Sequence, residues 1–108
     1  MQLVIQVISS QKGSLRNRIV NDPKLEQFGF KVVEKKKIGR AHGWAKLHSL
    51  EPNRDGAINV EWSGRAKMLI CRVITRGSGK PGGITGDFVV YLLARYRKSI
   101  LAINIVPG

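Results

Sequence analysis

Acidic residues are scarce in this chain. Seven Asp and Glu stand against nineteen Lys and Arg in 108 residues, a formal net charge of +12. Cysteine is scarcer still. Cys71 stands alone, which excludes an intrachain disulfide and a cysteine-rich zinc site. Two histidines, His42 and His48, with so few carboxylates make a poor donor set, so neither a metal nor a cofactor is expected. The apolar N-terminal stretch QLVIQVI is too short to span a membrane and has no positively charged segment before it. We therefore expect a cytoplasmic protein with no membrane partner. Transit-peptide character, internal repeats and low-complexity tracts are also missing.

What remains is enough for a core. Hydrophobic residues make up 43% of the chain, close to the usual globular share. At this length residues 1–108 form a single basic domain of modest stability, and a homodimer is compatible but not demanded. The positive charge runs throughout. Residues 1–61 hold 11 basic and 6 acidic residues, and residues 62–108 hold 8 basic residues and Asp87. A folded domain so charged repels itself unless a polyanion neutralises it. Nucleic acid is the polyanion to expect, because its phosphates reward Lys and Arg by releasing counterions.

Periodicity gives the order β-α-β-β-β-β-α-β. Residues 2–8 read as a strand bounded by Ser9, Ser10 and Gly13. A helix over 14–21 ends at Asn21-Asp22-Pro23, where Asp22 reads as a capping residue, and a turn or second short helix follows over 23–28. Residues 30–38 and 44–50 read as strands, either separate or one bent ribbon, with Gly39, Ala41 and Gly43 breaking or bending the chain between them. Residues 57–62 alternate cleanly, with Ile58, Val60 and Trp62 on one face. Ser63-Gly64 reads as a hairpin turn into a central strand over 67–76, apolar on both sides. The segment 77–83 is a loop. A helix over 85–98 then has Thr85 as its cap, Asp87 in its first turn, and Phe88, Val89, Leu92, Leu93 and Tyr96 as its buried stripe. Residues 100–106 make the last strand. The expected fold is α+β: a mixed or antiparallel sheet of about five strands, with two helices packed on one face and the other face open.

Two clusters carry the functional expectation. In residues 31–46, Lys31, Lys35, Lys36, Lys37, Arg40 and Lys46 surround the single acid Glu34, with His42 and Trp44 among them. Such cations meet phosphates, and an exposed Trp or His stacks on bases. The bland alternative is an edge strand blunted by lysines, with Trp44 in the core. The second cluster is Arg65, Lys67, Arg72, Arg76 and Lys80, in which Arg72 and Arg76 share a strand face with Met68, Ile70 and Ile74, and Lys80 lies in the following loop. The GSGK at 77–80 is not a Walker loop, since Ile74 and Pro81 stand where glycine and Ser or Thr are required. Lys80 remains a candidate phosphate contact at a helix N-terminus.

A nuclease is the alternative reading. Asp22, Glu34 and Lys36 follow the Asp…Glu-x-Lys order of one metal-dependent class. His42 and His48, with Arg40, Lys46 and Tyr91, are the acid–base candidates of a metal-free ribonuclease. In overall size and charge the chain resembles the small endoribonuclease toxins of toxin–antitoxin systems, a resemblance of bulk properties that carries over no motif residue. A second alternative is a basic module that docks on an acidic protein partner. Cys71 reads as a small core hydrophobe. The leading expectation is a nucleic-acid binder that contacts phosphates through a Lys/Arg-rich sheet and loop surface, with RNA or single strands favoured.

Overall fold

The computed structural model describes residues 2–76 and 79–107. Six strands, β1 (Gln2–Ser9), β2 (Phe30–Glu34), β3 (Trp44–Ser49), β4 (Gly56–Ser63), β5 (Met68–Thr75) and β6 (Ile100–Pro107), form one sheet in the order β2-β3-β4-β5-β1-β6. Every neighbouring pair is antiparallel. Helices α1 (Leu15–Val20) and α2 (Gly82–Tyr96) join it in an α+β fold. The sheet has six strands rather than about five because β2 and β3 are separate. They pair as a hairpin around residues 35–43 instead of forming one bent ribbon.

Alternation explains why both helices lie on the same side. Ile5 and Val7 of β1, Leu69, Cys71 and Val73 of β5, Ile58 and Val60 of β4, and Ala45 and Leu47 of β3 are all buried. The register places these residues opposite one another on one face. Leu15 and Ile19 of α1, and Ile84, Phe88, Tyr91 and Leu92 of α2, close over them in a single core. Spacings of three and four residues keep these side chains on one stripe of each helix.

Helix ends differ from the simplest expectation. Ser14 caps α1 as its spacing implies, its side chain accepting the Asn17 N–H at 3.1 Å. The second short helix is a 3-10 turn, Glu26–Phe28. Helix α2 starts at Gly82, three residues before Thr85. Pro81 precedes it with φ −75°, a value suited to a first helical turn. Thr85 is therefore inside the helix, and its hydroxyl donates back to the Pro81 carbonyl at 2.8 Å instead of capping. Asp87 accepts from Arg54 Nε at 2.6 Å, tying α2 to the β3–β4 loop. Leu93 is exposed rather than part of the buried stripe. The β4–β5 turn is also longer than two residues. It spans 64–67, with Lys67 at φ 51°.

Asp22 holds the two helices together. Its carboxylate is fully buried and receives both Arg95 Nε and a terminal Arg95 nitrogen at 3.0 Å. The Tyr91 and Tyr96 hydroxyls each lie 2.8 Å from its Oδ2, and the Lys24 N–H donates to Oδ1 at 2.9 Å. Burial alone raises the Asp22 pKa. The hydrogen bonds from Arg95, the Lys24 N–H and the two tyrosines outweigh that and hold it well below the carboxylate range. Above it runs a chain of edge-to-face aromatic contacts, Phe28 on Tyr91 at 5.4 Å and Tyr91 on Tyr96 at 5.7 Å.

Two outcomes follow. Asp22→Asn removes the anion that Arg95, Tyr91 and Tyr96 share and should lower the urea midpoint of unfolding at neutral pH. Because the folded pKa of Asp22 lies below the unfolded value of about 3.9, its contribution is complete above that pH. It is lost as pH falls below about 4, so the acid limb of the stability curve should flatten in the variant. Burial also raises the Cys71 thiol pKa. The folded protein should therefore not react with a thiol-specific disulfide reagent at pH 8, and should react once unfolded.

Candidate nucleic-acid interface

The second face of the sheet carries no helix. The strand registers compose into rows that cross it. One row runs Glu34, Lys46, Asn59, Arg72, Val4, Val106. The next runs Lys31, His48, Ala57, Ile74, Gln2. A third runs Trp44, Glu61, Ile70, Gln6, Asn104. Lys31, Arg72 and Ile74 are exposed, and Lys46, His48 and Asn59 are partly covered. Arg76, just beyond β5, joins Lys46, His48, Asn59, Ile74 and the acid Asp55 in lining one shallow concavity. Lys31, Lys46, Arg72 and Arg76 thus share this face with the acids Glu34 and Glu61. The expected pairing of Arg72 and Arg76 with Met68, Ile70 and Ile74 on one face follows the observed alternation.

The lysine run occupies a loop, not a strand. Strand β2 stops at Glu34, after a register shift between Val32 and Glu34. Lys35, Lys36, Lys37, Arg40 and His42 all project from the β2–β3 loop and are exposed, and Ile38 at its tip is fully exposed. Like charges spaced this closely repel, and a solvated loop separates them better than a strand edge. Gly39 supplies the turn with φ 86°. Gly43 makes the close approach at the base, where a Cβ would sit 2.6 Å from the Trp62 carbonyl oxygen.

Arg16 is the residue that local reading missed. From α1 it donates to the Trp44 carbonyl at 2.8 and 3.1 Å and to the Lys35 carbonyl at 2.6 Å. It thereby clamps both ends of the basic loop. No local signal marks it, since its acceptors are backbone atoms 19 and 28 residues away.

Trp44 corrects an expectation. It lies on the helix-free face, yet it is only 3% exposed. The Arg40 guanidinium sits over its ring, 5.3 Å from the centroid. A covered ring offers no open surface for a base, so Trp44 is a support for the loop rather than a stacking platform. Its indole N–H is buried without a hydrogen-bond partner, as is Oδ1 of Asn59 on the neighbouring strand. Phe30, Phe88, Tyr91 and Tyr96 are buried, and Phe28 and Trp62 pack partly buried against the core, so the half-covered His48 imidazole is the ring left on this face among the described residues.

The nuclease candidates separate. His42 lies in the β2–β3 loop and His48 in β3. The Asp22 carboxylate is saturated by Arg95, Tyr91, Tyr96 and the Lys24 N–H, which leaves it no lone pair directed at a shared site with Glu34 and Lys36. Tyr91 belongs to that same buried cluster. Among the described residues, no three His, Cys, Asp or Glu side chains gather as metal ligands. Lys80 is exposed near the start of α2, while Gly77 and Ser78 of the same loop lie outside the described residues.

Among the described residues the ion pairs are Arg54–Asp87 and Arg95–Asp22. Neither uses Lys31, Lys46, Arg72, Arg76 or the loop cations. No helix is long and apolar enough to cross a membrane among the described residues. The chain matches no protein-family model, no curated protein and no solved structure.

Arg16→Ala should loosen the loop without unfolding the domain. Losing charge-assisted bonds of this kind costs about 1.5–3 kcal/mol. Amide exchange at residues 36–43 should rise more than exchange in β5.

Proposed function

We propose that this protein binds single-stranded nucleic acid, RNA by preference, across the helix-free face of its sheet. The observation that carries the reading is the row geometry of that face. Lys31, Lys46, Arg72 and Arg76, from β2, β3, the C-terminal half of β5 and the position just beyond it, lie on one face and form no ion pair among the described residues, although the acids Glu34, Glu61 and Asp55 stand near them. Strand spacing of about 4.8 Å sets these cations at intervals that a flexible phosphate backbone follows. The loop cations Lys35, Lys36, Lys37 and Arg40 extend the same positive surface beyond the edge strand β2.

The chemistry is phosphate-led. With only the half-covered His48 imidazole on it, the face has weak means of stacking bases, a contact otherwise worth about 1–3 kcal/mol per base. Ile70, Ile74 and Met68 give bases an apolar surface, and Asn59, Gln6 and Asn104 give them hydrogen bonds, so sequence preference is weak. Duplexes fit less well, because a broad sheet face enters neither groove of a regular helix.

The test is fluorescence anisotropy on a labelled single-stranded RNA across a salt series. Arg72→Gln and Lys46→Gln should each reduce the slope of log K against log salt by about 0.7 and weaken binding equally for unrelated sequences. Lys98→Gln, on the three-residue turn between α2 and β6, should change neither. Equal slopes in all three variants would sink the assignment to this face.

A further inference from the structure

Charge is absent from one side of the sheet. Strands β1 (QLVIQVIS) and β6 (ILAINIVP) hold no Asp, Glu, Lys, Arg or His, in a chain of net charge +12. They are the last two strands of the order β2-β3-β4-β5-β1-β6, so β6 is an edge strand with a neighbour on one side only. Edge strands of monomers are normally blunted by lysine, an interior proline, a bulge or brevity. Strand β6 is eight residues long, has proline only at its end, and exposes Leu101 (70%), Ile105 (49%) and Val106 (45%). Helix cover ends beneath it: Ile5 is fully buried, while Ile105, its register partner, is half exposed. The opposite edge is treated differently. Both edge strands shift register, β6 near its start at Leu101 and β2 at Val33, but β2 has only five residues and carries Lys31 and Glu34.

We infer that β6 is a homodimer interface, at which two copies of this chain pair β6 with β6 across a two-fold axis to form a continuous twelve-stranded sheet. Antiparallel pairing centred on Ile103 sets Leu101 against Ile105 of the second copy, Ile103 against its equivalent, and Ala102 against Asn104. The ladder is apolar on the helix-bearing face and small or polar on the other. Charge selects a second copy over other occupants. The basic loop lies at the far edge, beyond β2, so pairing through β6 keeps the two like-charged surfaces apart. An acidic partner would instead gain by covering those cations. The blunted β2 edge stops further growth, so the assembly closes as a dimer and does not extend into a fibre.

The test is the mass in solution, by light scattering on a sizing column and by sedimentation. At about 100 µM the protein should have twice the chain mass of 12.0 kDa. Leu101→Lys with Ile105→Lys places like charges opposite each other only in the dimer, and both positions are exposed in one copy. That double variant should run as a monomer with an unchanged circular dichroism spectrum. Hydrogen exchange on the unmodified chain gives a second reading: amides of β6 should exchange more slowly at about 100 µM than at about 1 µM, while those of β2 should not change. A monomer at the higher concentration, a dimer that survives both lysines, or β6 exchange independent of concentration would each overturn the assignment. So would a growing polymer, or association that requires an acidic protein. RNA binding is read separately, so failure of the dimer leaves the binding face to its own test.

Discussion

Period-two alternation along six paired strands divides this sheet into two faces, and the chain has helix enough to cover one. Everything else in the structure depends on that division. The apolar residues of β3, β4, β5 and β1 that point one way form the core with α1 and α2. The residues that point the other way are left as a surface, mixed from Lys, Arg, Glu, His, Asn, Gln and Ile. A one-residue slip in any strand would exchange the two sets, so the register that builds the core also builds the candidate site. The loop over residues 35–43 adds to this surface only because Arg16, from a helix on the core side, holds its two ends.

Charge is managed by segregation more than by pairing. With two ion pairs among the described residues, most of the basic side chains have no anion of their own. One acid, Asp22, is spent where it matters most for folding, beneath Arg95, Tyr91 and Tyr96. The remaining cations spread over the loop, the helix-free face and the helix ends. Strands β1 and β6 are kept free of charge. Such an arrangement tolerates self-repulsion by distance, and it separates the surface proposed to meet a polyanion from the edge proposed to meet a second copy.

Much of this was legible in the sequence. The clean alternation of residues 57–62 and the two-sided apolar run of 68–75 placed β4 and β5 next to one another in the middle of the sheet. The helix-free face was expected from having two amphipathic helices against so many strands. The shared face of Arg72, Arg76 and Ile74 followed from strand period alone. What failed were features decided by distant contacts. Trp44 reads as an exposed aromatic among lysines, but Arg40 covers it. Asp22 beside Pro23 reads as a cap, but its partners lie on α2, about 70 residues away, and nothing local announces them. The start of α2 was missed because Gly82 and Gly83 are poor helix formers, and Pro81 sets the first turn despite them.

The central claim is that the helix-free face, and not the helices, meets nucleic acid. Methyl-labelled NMR during titration with a mixed-sequence single-stranded RNA addresses it directly. The account predicts shifts at the Ile70, Ile74 and Met68 methyls, which lie on that face, with Ile84, Ile58 and Leu69 in the core unmoved. Shifts confined to the exposed side of α2, at Val90 and Leu93, or no shift anywhere at saturating RNA, would contradict it.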